Sequence, residues 1–423
     1  DPTTAQALFH QSQDVPLNPN SGYLIAGPGT LNVSAHNLDL GATLGIRSVG
    51  PANNPALAAL SPSGAAIQVN LSGNLDMFST TICSLAGGDV RVNAQGAVNV
   101  GSSDFSGNDQ YARGIFTVAK SDVSVVANGD INVNGSRIAA YDGGNVTVQS
   151  LQGNVDAGTG GNGSVSVEKV YVDPATGQVK TYTPTIPGSG ILATTFPPSL
   201  DPSIPNSPNP VGDILVEAPR GNITASAGGI VQVALNGVDS SAASVKLVAG
   251  STDANGKVLY PGSIDATGSG VIGANVDLEA SAGVKGLVFA QQNISISALQ
   301  NVSVTALAQG NVSVQAGGTV SGSVIGVGSV NVGGTSVDAA LLSQNVSTSG
   351  NLASSQVGFA AVNVAAGASQ SALSSDTQMR TTALNGGNSQ NDDQEKRRLA
   401  QAANIRLART VGRVTVILPK QAN

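Results

Sequence analysis

A chain of 423 residues can form several ordinary domains or one elongated one. Only 3% of it is aromatic and 11% charged, with no Trp and 53 Gly, which excludes a broad aromatic-filled core and favours a narrow one of Val, Ile, Leu and Ala. The net charge of −7 divides into −11 over residues 1–391 and +4 over residues 392–423, an acidic body that excludes nucleic acid as the main partner, and the lone Cys83 excludes a disulfide framework.

Residues 1–23 carry no repeat and several prolines, and read as an extended N-terminal segment. The chain opens at Asp1-Pro2 without Met, so it is expected to be a piece of a longer exported precursor. Residues 24–369 are predicted to form a parallel β-helix. Its loosely repeated strands fall at 89–93, 97–100, 123–126, 131–133, 145–148 and 154–155, then at 213–217, 222–225, 230–234 and 245–248. Their Gly-Asp, Gly-Asn and Gly-Gly turns are expected to supply the positive φ of tight corners.

Residues 168–210 interrupt this pattern with nine of the nineteen prolines. Segments 168–173 and 178–183 predict a hairpin, and 184–210 an extended Pro/Ser loop. The insertion reads either as a tolerated excursion from one corner or as an arm that contacts a partner.

The repeat is strictest between 275 and 332. Short strands begin at Val276, Ile294, Val312 and Val330, and a second set at Val284, Val302 and Val320, each 18 residues after the last. Two strands and two turns in 18 residues fit one coil of a parallel β-helix, each strand pairing with its counterpart about 4.8 Å along the axis. An antiparallel sandwich of short hairpins is the competing arrangement. With 15 to 17 coils of roughly 4.8 Å the rod would be about 75 Å long. Asn275, Asn293 and Asn311 precede successive strands and predict a side-chain ladder.

Residues 370–391 read as a flexible connector. Residues 392–410 predict a short helix with Leu399, Ala403 and Leu407 on one face, followed by a strand of Arg413, Val414, Thr415, Val416, Ile417 and Leu418. Residues 392–423 would therefore cap the rod, or the strand would join a neighbouring molecule by β-augmentation.

No stretch is apolar enough for a transmembrane span. The two histidines, His10 and His36, do not form a nucleophile triad with a Gly-x-Ser-x-Gly elbow. Asp104, Asp109, Asp122, Asp130 and Asp142 lie within 39 residues and could bring two carboxylates together across coils, although turn chemistry accounts for Asp122 and Asp130. No calcium, zinc or other cofactor motif is present, and no cofactor is expected. The sequons at Asn293, Asn301 and Asn311 read as repeat chemistry. Cys83 reads as a small buried hydrophobe, with a crosslinking thiol as the alternative.

Residues 135–158, GSRIAAYDGGNVTVQSLQGNVDAG, and 406–419, RLARTVGRVTVILP, resemble the C-terminal region of filamentous haemagglutinin-like exoproteins. The resemblance implies a right-handed parallel β-helix exported by a Gram-negative bacterium, often by two-partner secretion, and serving adhesion, biofilm or surface filaments. The family's N-terminal secretion domain is not recognisable; Asn18-Pro19-Asn20 resembles its Asn-Pro-Asn-Gly element, with Ser21 in place of Gly. The overall expectation is an all-β, right-handed parallel β-helix (β-solenoid) with a Pro-rich insertion and a C-terminal helix plus strand. It would be a non-enzymatic adhesive surface protein, binding host or surface glycans or proteins. A subunit of a homopolymeric extracellular filament is the alternative, and a glycan-active enzyme the second.

Overall fold

The computed structural model describes residues 22–41, 43–50, 63–101, 113–159, 164–166, 169–172, 176, 179–225 and 228–352. Among them there is one 29-stranded sheet with parallel pairing throughout, which is the parallel β-helix and not the antiparallel sandwich. No helix of the described residues is long and apolar enough to cross a membrane. The predicted C-terminal helix and strand lie outside the described residues.

Three faces make up each coil. The best-formed face stacks twelve strands, from Thr30–Ala35 through Val90–Ala94, Val146–Ser150 and Asn275–Ala280 to Asn345–Leu352. We call it face 2. The short strands Leu38–Asp39, Leu75–Asp76, Val98–Asn99, Ile131–Asn132, Val155–Asp156 and Ile223–Thr224 begin face 3. Face 1 runs through Tyr23–Ile25, Ile46–Ser48, Thr81–Ser84, Gly114–Val118, Arg137–Tyr141, Gly190–Thr194 and Ile230–Val233.

Coil length explains why the sequence repeat is clear in one place. Along face 2, Val276 pairs with Ile294, Ile294 with Val312 and Val312 with Val330, each 18 residues on. Here single strands such as Val284–Ala290 and Val302–Ala308 serve faces 3 and 1 together, which shortens the coil. Earlier coils are longer and unequal: Val90 pairs with Val123, Val123 with Val146, and Val146 with Ile214. Loops between the faces absorb the difference. The described residues therefore form twelve coils, spanning roughly 50 Å, and not the 15 to 17 coils expected from a uniform short period.

The longest coil contains the Pro-rich region as two excursions. The first is a pair of antiparallel ladders, Lys169–Val172 with Val179–Tyr182 and Ser164–Ser166 with Thr185–Pro187. The second is residues 195–213. Between them Gly190–Thr194 returns to face 1 and pairs with Arg137–Tyr141. The predicted continuous loop over 184–210 is thus interrupted by a solenoid strand.

Inside, equal positions in successive coils stack into aliphatic columns. Face 1 contributes Ile46, Ile82, Ile115, Ile138, Ile191 and Ile230 in register. Face 2 contributes Val90, Val123, Val146, Ile214, Val245 and Val276. These side chains are buried in one continuous core that contains no aromatic residue. Each fully buried Val or Ile stabilises the fold by about 1.5–3 kcal/mol relative to exposure, which offsets the entropy of ordering a chain this polar. A β-branched side chain suits the spacing because it fills the gap between neighbouring strands with one χ1 rotamer.

Ile138→Ala should cost about 2–5 kcal/mol in urea denaturation, because the coils above and below cannot collapse into the hole. Ser124→Ala, on the outer side of face 2, should stay within about 0.5 kcal/mol.

Candidate functional site

Two features of the outer surface carry chemistry: polar columns along the corners and a covered section of face 1. The first column starts at the residue before each face-2 strand. Asp89 Oδ1 accepts the backbone N–H of Asp122 at 3.1 Å, Asp122 Oδ1 that of Asn145 at 2.8 Å, Asn145 Oδ1 that of Asp213 at 2.8 Å and Asp213 Oδ1 that of Ser244 at 2.7 Å. Further along, Asn275 donates to the carbonyls of Ser241 and Ala243, and Asn293 donates to Asn275 Oδ1 at 3.1 Å. Asn311 gives its backbone N–H and its amide to Asn293 Oδ1, and Ser329 Oγ donates to Asn311 Oδ1. The structure therefore places Asn275, Asn293 and Asn311 side by side, in a column that runs from Asp89 to Ser329.

A second column precedes the face-3 strands. Asn37 Oδ1 accepts Asn74 N–H, and Asn74 Oδ1 accepts Ala97 N–H. Asp130, Asn154 and Asn222 hand the same bond on to Ser263. At a corner the chain leaves the sheet, and its N–H would otherwise go unpaired; a short side-chain carbonyl in the coil below reaches it.

The same contact explains the glycines of the Gly-Asn and Gly-Asp turns. A Cβ at Gly153 would lie 2.5 Å from Asp130 Oδ1, and one at Gly310 2.7 Å from Asn293 Oδ1. Neither glycine has a positive φ. At these two positions the expectation of left-handed backbone is corrected: Gly is selected there for lack of space. Gly88, at φ +111°, does meet the original expectation.

Asp122 and Asp130 thus accept backbone amides in two different corner columns, which is not the arrangement of a paired acid and base. Asp104 and Asp109 lie outside the described residues, as does His10. His36 Nδ1 lies 2.9 Å from Ser72 Oγ on the exposed surface. The assembly strand at 413–418 also lies outside the described residues.

Asp142 sits elsewhere, on the covered section of face 1. There the outward column Cys83, Phe116, Ala139 and Leu192 is in register across four coils. It packs with Tyr141, Ile186 and Phe196 into a second apolar cluster, outside the solenoid. The Phe116 and Tyr141 rings lie 5.8 Å apart, and those of Tyr141 and Phe196 6.4 Å apart. Three aromatic side chains, Phe116, Tyr141 and Phe196, are thus gathered between the coil and its insertion. Arg137 is fully buried in the same layer. Burial pushes the Cys83 thiol and the Tyr141 phenol up, against the opposing charges of Arg47 and Arg137 respectively. Cys83 is therefore a buried apolar member of this layer, not an accessible crosslinking thiol.

Above this layer the second excursion roofs a cleft of about 260 Å³, lined by Asp142, Tyr182, Phe196 and Pro197 and by residues 204–209. Tyr182 Oη donates to the Pro197 carbonyl, and Asn209 Nδ2 donates to the Asp142 carbonyl at 3.1 Å. Asn236 Nδ2 donates to the carbonyls of Ser207 and Asn209, and Thr195 Oγ1 accepts the backbone amides of Leu235 and Asn236. The arm is thereby tied to the coil on both sides. Burial and the nearby Asp142 carboxylate hold the Tyr182 phenol above its ordinary range. Ala119 and Asp142, both lining residues, adopt positive φ of 69° and 75° without being glycine, a strained backbone of the kind found at binding sites. Sequence reading named Asp142 but missed Tyr182 and Phe196, which reach the cleft from an insertion with no repeat to place them.

A family model described as filamentous haemagglutinin family outer membrane protein matches residues 143–257. That span contains both excursions and the arm over the cleft, and it shows the resemblance over those residues. No curated protein and no solved structure matches the chain.

Asn293→Ala should cost about 0.5–1.5 kcal/mol, because it removes the acceptor of the Asn311 amide at an exposed corner that water can reach. Hydrogen exchange should speed up at Asn311, while Asn293→Asp, which keeps Oδ1, should preserve most of the protection.

Proposed function

We propose that the chain is an exported, non-enzymatic β-helical protein that serves adhesion and surface structure, with contact made along its outer faces and at the arm over the cleft. A family match to outer membrane proteins puts the chain at the outer cell surface or outside the cell. The observation that carries the adhesive reading is where the match falls: it covers the excursions, which carry the cleft and the most exposed apolar side chain, Leu200, at 103% relative exposure. One exposed Leu is ordinary by itself; its weight comes from its place on the arm that roofs the cleft. Export by two-partner secretion and a role in biofilm belong to the same reading.

The rest of the surface supports it. Its outward columns are Asn, Ser, Thr and Gln spaced one coil apart, as with Asn99 and Asn132 or Asn70 and Asn93, joined by amide hydrogen bonds at 3.0–3.1 Å. Such a face offers many hydroxyls and amides to glycans or proteins, with little charge to attract counterions.

A second reading, an end-to-end filament of identical chains, has one observation in its favour. The first described strand, Tyr23–Ile25, leaves Tyr23 and Leu24 exposed at 69% and 67% on the first coil of the described residues.

Beads coated with the purified chain should adhere to epithelial cells above albumin-coated beads, and Leu200→Asp should reduce that adhesion. Because the contact surface is nearly neutral, adhesion should change little between 50 and about 500 mM salt, conditions that screen ion pairs strongly. Beads that bind no better than albumin, while electron microscopy shows long uniform fibres at raised concentration, would replace the adhesive reading with the filament.

A further inference from the structure

The outer column of face 1 does not end where the insertion ends. In register with Leu192 follow Val231, Ile272, Phe289, Leu307, Ile325 and Leu342, one residue per coil to the far end of the described solenoid. None of the last five belongs to the inner core. Leu307 keeps 8% of its surface exposed, and the other four are half-buried. The outward columns of the other faces in the same coils are polar, with Ser295, Ser313, Asn331 and Ser347 on face 2. An apolar column on the outside of a solenoid needs a cover, because it stays wet in every coil it crosses.

The molecule shows what covers this column elsewhere. Over Cys83, Phe116, Ala139 and Leu192 the chain's own excursion lays Ile186 and Phe196 on it. We propose that residues 392–423, reached through the connector 370–391, do the same for the second half, lying lengthwise along face 1 over Ile272, Phe289, Leu307, Ile325 and Leu342. The segment would thus be a lateral strap, distinct from an end cap and independent of whether the protein is an adhesin.

Three features of the chain choose this occupant over a second copy. The last described strand, Asn345–Leu352, stacks on Ser329–Leu342, so the 71 residues that follow it in the sequence start within one coil of Leu342. The five column residues span roughly 20 Å, and 19 residues from 392 to 410 would cover about 28 Å as a helix. The helix would present Leu399, Ala403 and Leu407 on one side. Finally, residues 392–423 carry +4 against −11 for the body, so the segment is drawn to the solenoid it would cover.

The test is limited trypsin digestion of the full chain, with cleavage at Lys396, Arg397, Arg398 and Arg406 followed by mass spectrometry. Leu307→Asp with Ile325→Asp should accelerate cleavage there about tenfold at every protein concentration, while cleavage at the exposed Lys257 stays unchanged. Equal rates in parent and variant overturn the strap. Protection that grows with protein concentration also overturns it, and makes a second copy the occupant. If the double variant loses its β-sheet circular dichroism, a benzophenone-bearing residue at Phe289 replaces it. Photo-adducts to peptides of 392–423 within one molecule support the strap, and adducts between molecules or none contradict it.

Discussion

Everything in this molecule depends on hydrogen bonds that run along the axis from one coil to the next. A backbone ladder in that direction forces each position of the cross-section to be repeated in every coil, so that a side chain has its own counterpart as its nearest neighbour. Inside, the repetition is satisfied by Ile and Val columns such as Ile82, Ile115, Ile138 and Ile191. At the corners it is satisfied by Asp and Asn, whose Oδ1 atoms accept the next coil's N–H. A charge repeated at 4.8 Å intervals would repel itself, and the chain accordingly uses neutral amides and hydroxyls at most outer positions. Some of the charges that remain pair across coils, Lys246 with Asp277 and Glu279 and Lys285 with Asp265, while Asp39 and Asp76 stack as like charges.

The same constraint sets face 1 apart from the other two. Faces 2 and 3 repeat polar residues outward, so they are finished surfaces. Face 1 repeats apolar residues both inward and outward, so it demands a second layer. The insertion supplies that layer over four coils, bringing the aromatic rings, a buried Arg137 and the cleft with it. An elongated scaffold thereby gains a local thickness in which a shaped site can form, which a bare two-layer rod does not offer.

What could be read from the sequence follows from this geometry. The 18-residue coils between 275 and 332 were legible because strands such as Val284–Ala290 serve two faces and leave no room for loops of variable length. The face-2 strands of the longer coils were legible too, since Val123–Ala127 and Val146–Ser150 alternate buried and half-buried residues. Face 1 was not. Gly114–Val118, Arg137–Tyr141 and Gly190–Thr194 are buried at all five positions, so their alternation is lost, and unequal loops remove any fixed interval between them. The strand Gly190–Thr194 was therefore absorbed into a proline-rich loop. Corner glycines such as Gly153 and Gly310 were located but assigned the wrong cause, because a clash with a residue one coil away has no signature in the local sequence.

If coupling along the axis is the organising force, a whole coil is a removable unit and half a coil is not. The most direct measurement is the thermal melt of two deletions from the regular region, one lacking residues 293–310 and one lacking residues 293–301. The first removes one period and lets Asn311 stack on Asn275; it should keep its β-sheet signal and melt within about 5 °C of the parent. The second sets face 2 against faces 3 and 1 and should unfold the region. Equal loss of structure in both would contradict the account, because stability would then reside in particular side chains and not in the repetition of the coil.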